Sequence, residues 1–197
     1  MAKNTKARHD DLRKRLIDLA EKTVEAEGLS ALRARDLANK AGCSVGAIYN
    51  VLTDMNTLTL HVNGRTFKRL GIAVAASIAD KADLPPRDRL IALSLAYLDF
   101  ANNNFKAWTA LFDIEMTAGP DVPEWYQNAL NELFRHINGP VREIYPEMGK
   151  IDSDLMTRGL FSSIHGIVLL GLQRRISGVP QEEMARMITL ILSNLSK

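Results

Sequence analysis

The chain has 197 residues, of which 46% are apolar and 24% charged, and this composition excludes an intrinsically disordered protein. No apolar stretch approaches the roughly 20 residues that a membrane-spanning helix needs, and the polar start of the chain carries no secretory signal. A single cysteine, Cys43, excludes an internal disulfide, and we therefore expect a cytoplasmic protein with no membrane partner.

The net charge of +2 conceals a difference between the two ends of the chain. Residues 1–70 hold 13 Lys and Arg against 8 Asp and Glu, a net charge of +5, whereas the remaining residues carry a net charge of −3. An excess of positive charge at one end indicates contact with a polyanion. The alternative is a basic tail that is only solvated.

Apolar residues recur at three- and four-residue steps along almost the whole chain, and no segment alternates as a strand does. The predicted fold class is therefore all-α, with about nine helices. They run from about residue 12 to Gly28 and then over 34–40, 44–51, 56–79, 87–102, 105–117, 124–138, 153–176 and 181–196. Gly139-Pro140 is expected to break or kink the chain after the seventh helix.

The segment 34–51 has the residue types that a helix-turn-helix requires. Two short helices that cross steeply need a small residue at the crossing, which Ala38 supplies, and the tight turn needs a residue that tolerates a positive φ, which Gly42 supplies. Ser44 can cap the second helix through its hydroxyl. Apolar residues stand where a small shared core would be: Leu37, Ala41, Cys43, Ile48 and Val51. A plain helical hairpin is the alternative.

The run ARDLANKAGCSVGAIY at 34–49 resembles the DNA-binding signature of the tetracycline-repressor (TetR) family, in which an alanine, a glycine, a serine and a Gly-x-hydrophobic-Tyr sequence recur in this order. The run SIHG at 163–166 resembles, more weakly, a His-Gly motif of one C-terminal subgroup. The resemblance implies a homodimeric transcriptional repressor with a DNA-binding domain at 1–55 and a helical effector-binding and dimerisation domain at 56–197. Leu52, Met55 and Arg33 depart from the family's usual aromatic, lysine and threonine, which affects operator affinity rather than fold.

The resemblance places the second short helix in the major groove of a palindromic operator. Ser44 and Tyr49 suit phosphate oxygens, although Tyr49 could instead pack partly in the small domain. Val45 and Ala47 suit thymine methyls, and Asn50 suits adenine. The full set of predicted DNA-binding residues is Arg33, Arg35, Ser44, Val45, Gly46, Ala47, Tyr49 and Asn50.

Aromatic residues are concentrated between Tyr97 and Phe134, and the resemblance implies that some of them enclose a small apolar effector. Taken singly, each aromatic residue is better explained as ordinary core, and His165 is better explained as a core histidine than as a ligand contact. The predicted effector-binding residues are Phe67, Tyr97, Trp108, Phe112, Trp125, Phe134 and His165.

The last two predicted helices carry faces of small and apolar residues, which two subunits could join into a four-helix interface. Packing within one chain is the alternative, because apolar helix faces serve either purpose. The predicted interface residues are Ser163, Gly166, Ile167, Leu170, Met184, Met187, Ile188 and Ile191.

No nucleophile–base pair, phosphate-binding loop or carboxylate cluster stands out, so we expect no enzyme, and neither a metal nor a cofactor. The four histidines are scattered, and none stands at metal-ligand spacing from another His or from Cys43. Cys43 occupies an apolar turn position that suits an inert thiol better than a redox sensor. A helical protein-interaction module or a small helical enzyme without a role on DNA is the alternative function.

Overall fold

The structure, a computed structural model, describes residues 2–113, 122–174 and 180–195. These residues form nine α-helices and two single-turn 3-10 helices and contain no strand, which confirms the predicted all-α class. The α-helices are α1 (Ala2–Glu27), α2 (Ala34–Ala41), α3 (Val45–Val51), α4 (Met55–Ala76), α5 (Pro86–Asn103), α6 (Phe105–Ala110), α7 (Glu124–Ile144), α8 (Lys150–Leu172) and α9 (Met184–Ser193).

The helices form two compact units. The first unit comprises Met1–Phe67 and Lys106–Tyr126, and the second comprises Lys68–Phe105 and Gln127–Lys197. The first half of α4 and all but the first residue of α6 therefore pack with the N-terminal helices. The functional division at residue 55 stays a prediction, since a compact unit can hold more than the part that contacts DNA.

The core of the first unit begins with one face of α1. Leu16, Ala20 and Val24 recur every four residues, so they lie on the same side of the helix, and all three are fully buried. They pack with buried Leu37 of α2 and Ile48 of α3, as the helix-turn-helix pattern predicts. This shared core holds the two short helices, neither of which is long enough to be stable alone.

Gly42 ends α2 in the left-handed region, with φ 62° and ψ 40°. Its amide donates to the carbonyl of Asn39 (3.2 Å), and the amide of Cys43 donates to the carbonyl of Ala38 (3.0 Å). A Cβ at Gly42 would meet nothing within 4 Å, so the backbone conformation is what requires glycine there. The predicted role of Gly42 in the turn is confirmed.

In the second unit, α5 packs against α8 and α9. Its buried face contains Leu90, Leu93 and Phe100, and α9 contributes Ile188 and Leu192, which are both buried. The two C-terminal helices, α8 and α9, also contact each other directly. The core of this unit therefore uses one side of α9, and only the opposite side, with Leu190 and Ile191, is exposed.

Of the two outcomes expected at Gly139-Pro140, the break was wrong, because α7 continues through Pro140 to Ile144, and the kink stays a prediction. A proline inside a helix removes one backbone hydrogen bond. Packing on both sides offsets that loss: Val141 is fully buried, and the Asn138 amide donates to hydroxyls of Ser153 (3.2 Å) and Thr157 (3.1 Å) in α8.

Several helix ends also differ from the prediction. The α-helix predicted to begin at 181 begins at Met184 after a 3-10 turn, and α6 already ends at Ala110, short of the predicted end at 117. The predicted ends at 117, 176 and 196 lie outside the described residues. Helix ends depend on local hydrogen bonds, so apolar periodicity locates them poorly.

By length and composition alone, α8 is long and apolar enough to cross a membrane, whereas no stretch of this kind was expected from the sequence. Such a helix is weak evidence of a membrane span, because apolar helices of other proteins pass the same test. Buried Ser153 and Thr157 give one side of α8 a polar contact with Asn138 of α7. The same side continues along α8 through buried Leu160, Ile164 and Val168, and exposed Ile151, Leu155 and Leu170 make a second side apolar.

Candidate functional site

The orientation of α3 is fixed by a capping residue at its start and by a buried residue in its middle. Ser44 is its N-cap, and the Ser44 Oγ accepts a hydrogen bond from the Ala47 amide at 3.2 Å. Ile48 is fully buried and fixes which side of α3 faces the core. The hydroxyl hydrogen of Ser44 is not used by the cap, so it can still be donated to a phosphate oxygen.

The exposed side of α3 carries most of the predicted DNA-binding residues. Gly46, Tyr49 and Asn50 are exposed, and Val45 and Ala47 are partly exposed. The Tyr49 side chain is 46% exposed, so its ring lies at the surface rather than within the small core. This face is therefore accessible to a large ligand.

Exposed arginines extend this surface along α2. Arg33 is the N-cap residue of α2, in an extended conformation with no capping bond from its side chain, and Arg35 lies in the first turn. Both are exposed. The face formed by Arg33, Arg35 and the exposed side of α3 therefore combines cations with small and polar side chains, as a DNA-binding surface does.

The first helix, on which α2 and α3 pack, is held by charged contacts from later in the chain. Arg65 of α4 forms ion pairs with Asp18 (2.7 Å) and Glu21 (2.6 Å) of α1. Lys106 donates to the Ala26 carbonyl at 2.5 Å, near the end of α1. These contacts could not be predicted from the sequence, because they join residues 44 to 80 positions apart and carry no local signal.

A third contact on α1 involves a histidine for which no role was predicted. The Arg13 guanidinium lies 2.8 Å from Nε2 of His61 in α4, and the His61 ring stacks on the indole of Trp125. Burial, together with the charges of Arg13 and Arg65, lowers the pKa of His61. His61 is therefore neutral in this contact.

The predicted effector residues fall into separate groups. Phe67, Trp108, Phe112 and Trp125 belong to the first unit, whereas Tyr97, Phe134 and His165 belong to the second. In the first unit, Phe67 meets the ring of Tyr126 edge to face at 5.4 Å, and Trp125 meets the same ring at 5.6 Å. Trp108, which is fully buried, meets exposed Phe112.

In the second unit, the three predicted residues are joined by one that was not predicted, Phe161. Its ring stacks on His165 (5.7 Å) and meets Tyr97 and Phe134 edge to face. The Tyr97 hydroxyl and the His165 Nδ1 are hydrogen-bonded at 2.8 Å. Burial lowers the pKa of His165, so the neutral ring is favoured. Helical spacing from His165 could have identified Phe161.

Asn63 adds a buried polar group to the first unit. Its Nδ2 donates to the Ala110 carbonyl at 2.8 Å, which fixes the amide orientation. Its Oδ1 is buried, and a hydrogen bond between the Asn63 side chain and Tyr126 lowers the pKa of that phenol against the larger effect of burial. Burial raises the pKa of nearby Tyr126, so that its phenol keeps its proton. Asn63 and Tyr126 are polar groups beside Phe67, and neither was among the predicted effector-binding residues.

The predicted interface residues divide between surface and core. Leu170 and Ile191 are each 40% exposed, and Ser163 is also exposed. Gly166, Ile167 and Met187 are partly exposed. Met184 and Ile188 are buried within the chain, so their side chains are not available to a partner, and both leave the predicted interface.

Three exposed apolar residues were missed on the same two helices. Ile151 and Leu155 lie one turn apart on α8, and Leu190 precedes Ile191 on α9. The four-residue step from 151 to 155 and 159 continues toward Ser163, and this periodicity could have revealed them. We call the exposed apolar residues Ile151, Leu155, Leu170, Leu190 and Ile191, with Ser163 and Gly166, the C-terminal face.

Cys43 and the possible metal ligands are the remaining candidates for a chemical role. Cys43 has a free thiol that is partly buried against the core of the first unit. Across residues 2–113, 122–174 and 180–195, no three His, Cys, Asp or Glu side chains come together where they could hold a metal ion.

A family model described as tetracyclin repressor-like, C-terminal domain, matches residues 90–195. No curated protein matches the chain. A protein described as a transcriptional regulator from Saccharomonospora viridis, solved with choline, is 18% identical with a TM-score of 0.69 over 94% of this chain and 97% of that one. The TetR-family regulator PfmR from Thermus thermophilus is 16% identical with a TM-score of 0.62 over 93% and 100%. BioQ, solved with its double-stranded DNA operator, is 14% identical with a TM-score of 0.63 over 92% and 97%.

Proposed function

Because this chain belongs to the tetracycline-repressor (TetR) family of DNA-binding transcriptional regulators, we propose that it is a homodimeric repressor whose two α3 helices read a roughly palindromic operator. The observation that carries the proposal is the exposed side of α3, which Ile48 anchors from behind and the Gly42 turn presents. The operator-bound structure of BioQ, which shares this fold, supports it.

Each residue of this surface has a proposed role. Ser44 and Tyr49 donate hydroxyl hydrogens to phosphate oxygens, which position the protein without reading sequence. Asn50 pairs with an adenine edge, and Val45 and Ala47 contact thymine methyls. Gly46 lets the helix approach the groove closely, while Arg33 and Arg35 supply attraction that weakens as salt rises.

We propose that the C-terminal face forms the dimer interface. It presents Leu155, Leu190 and Ile191 to solvent, an apolar surface that a second copy of the same helices would cover. Ser163 and Gly166 bring no bulk to the face, and a Cβ at Gly166 would meet nothing within 4 Å of the chain, so a partner helix can approach there. Burial of this face in a dimer would also account for the apolar character of α8.

We further propose that a small, largely apolar effector binds among the aromatic residues and releases the protein from DNA. The candidate contacts form two separate groups, one in each unit: Phe67, Trp108, Phe112 and Trp125 in the first, and Tyr97, Phe134 and His165 in the second. A choline complex of a protein with this fold supports a small-molecule ligand. Displacement of Phe67 would move α4, which begins four residues after α3 ends. Linkage requires that DNA weaken effector binding by the same factor.

This function needs no catalytic step, and it places the protein in the cytoplasm with its operator. The experiment that tests it is selection of bound duplexes from a random library, followed by a mobility-shift titration of the selected duplex. We expect a palindromic consensus and a binding constant that falls steeply with salt. Binding without any sequence preference, or no binding, would instead favour a protein-interaction module.

A further inference from the structure

Side chains from three helices meet on the partly exposed side of the first unit. Nη2 of Arg13 in α1 lies 2.8 Å from Nε2 of His61 in α4. The other side of the contact is the indole of Trp125, at the start of α7, whose ring centroid lies 5.1 Å from that of His61 with the planes 4° apart. His61 therefore joins the helix beneath the helix-turn-helix to the start of α7.

The hydrogen bond selects one form of the His61 ring. A guanidinium offers donors only, so Nε2 must accept, and the neutral ring then carries its proton on Nδ1. Burial and the charges of Arg13 and Arg65 lower the pKa of His61, in the same direction as the hydrogen bond requires. The contact is thus made by a neutral ring between a cation and an indole.

Gly64 gives Trp125 its place on α4. A Cβ at Gly64 would lie 2.6 Å from Cζ3 of the indole, so the ring lies directly against the helix backbone. The Trp125 side chain is 43% exposed, and burial alone therefore does not hold it. The flat stack on His61, one turn earlier on α4, supplies a second point of attachment.

We propose that His61 is a positioning residue for DNA binding: it transmits the position of Trp125 to Arg13 and so sets the orientation of α1 beneath the recognition helix. The proposal rests on the proposed function and adds a specific path to it. Because α1 packs directly on both α2 and α3, a shift of Arg13 reaches the DNA-binding surface. Trp125 contacts Tyr126, which contacts Phe67, so a ligand among these rings would act at the start of the path.

The charges around His61 determine what its protonation does. Arg13 on α1 and Arg65 on α4 both repel an imidazolium, although Asp18 and Glu21 neutralise Arg65 through their ion pairs. On the α7 side the indole attracts a cation through its face. Protonation therefore breaks the contact with Arg13 and leaves the stack on Trp125 in place.

The test is a double-mutant cycle on affinity for the selected operator duplex. Arg13→Met and Trp125→Leu are measured singly and together, first in the wild-type background and then with His61→Phe, which can stack but cannot accept a hydrogen bond. We expect a coupling of roughly fivefold in the wild-type background and none with His61→Phe. His61→Gln keeps a hydrogen-bond acceptor, so in that background Arg13→Met should again lower operator affinity, as it does not with His61→Phe. His136→Gln is the control and should leave operator affinity unchanged.

A fluorescence titration supplies a readout that DNA does not influence. Protonation of a stacked imidazole should quench Trp125 as the pH falls below 6.5, and His61→Gln should abolish this quenching, whereas buried Trp108 contributes a constant signal. Thermal unfolding of each variant shows whether it is folded. If the wild type binds no duplex, the proposed function fails; if it binds and the cycle is additive in folded variants, or the quenching persists in His61→Gln, the inference about His61 is overturned.

Discussion

Gly171 of α8 lies so close to Met184 of α9 that a Cβ on the glycine would fall 2.2 Å from the methionine Sδ and 2.9 Å from its Cγ. Met184 is buried, so its side chain cannot simply swing into solvent. The close approach of the two C-terminal helices thus depends on the missing side chain at 171. This close approach fixes which side of α9 faces the core of its own chain.

We therefore expect Gly171→Ala to destabilise the protein by about 1–3 kcal/mol, because the added methyl overpacks a filled core. Urea unfolding followed by circular dichroism measures this loss. Gly159→Ala, on the same helix with nothing within 4 Å of its Cβ, is the matched control and should be neutral or slightly stabilising. Equal stability of the two variants would show that the helices separate easily at this point.

Charge on the two sides of α9 should have different effects. Ile191→Glu places a carboxylate on the exposed C-terminal face, so we expect a folded monomer with weak operator binding. Ile188→Glu buries the charge in the core, so we expect unfolding rather than dissociation. Sedimentation velocity and circular dichroism separate the two results. A wild type that sediments as a monomer at micromolar concentration would contradict the proposed dimer.

Gly42→Ala should cost about 1–2 kcal/mol of stability, since the left-handed conformation is unfavourable for a residue with a Cβ. Gly42→Asn should cost less, because asparagine tolerates this region better. Thermal unfolding ranks the three proteins, and operator affinity should follow the same order. An Ala variant as stable as the wild type would mean that the turn can relax.

Two neighbouring residues of α3 should affect DNA binding differently. Tyr49→Ala should weaken binding to all sequences, since phosphate contacts carry no sequence information. Asn50→Ala should relax the preference at a single base position, at a cost of about 1–3 kcal/mol for the preferred base. Affinities for the selected duplex and its single-base variants test both. If Tyr49→Ala instead loses the preference for one base, the proposed phosphate contact of Tyr49 is wrong, and Tyr49 reads a base.

The neutral His165 ring makes stability depend on pH. Burial lowers the folded-state pKa of His165, so the unfolded chain binds its proton first as the pH falls. Stability should therefore decline from about pH 6.5 downward, and it should decline less in His165→Gln. Unfolding free energies at pH 7.5 and 5.5 measure the difference, with His136→Gln as the control. An unchanged pH dependence in His165→Gln would show that the ring is not linked to folding.

The helix-turn-helix could be predicted because its determinants are local. Ala38, Gly42 and Ser44 act on backbone within a few residues of themselves, and the structure shows the left-handed turn, the cap and the buried side in the expected places. The long helices could be predicted for a similar reason, since a repeat of three or four residues needs no knowledge of distant partners.

The grouping of the aromatic residues could be predicted only in part. Composition selected Tyr97, Phe134 and His165 without showing that Phe161 joins them, and it grouped them with Phe67 and Trp125, which belong to the first unit. Asn63 gave no signal at all, because a buried amide looks like any other polar residue until its carbonyl partner, 47 positions later, is known.

The sequence by itself thus determined the all-helical class, the turn and the family, which depend on residue type and on spacing within one or two helical turns. Only the tertiary structure decided that α7 passes through Pro140, that Ile188 is core while Ile191 is surface, and that His61 lies between Arg13 and Trp125. The physical reason is that each of these outcomes depends on contacts between side chains far apart in the chain. A helix that is apolar on several faces, or a charged residue with many possible partners, does not reveal which contact it makes until the helices are packed.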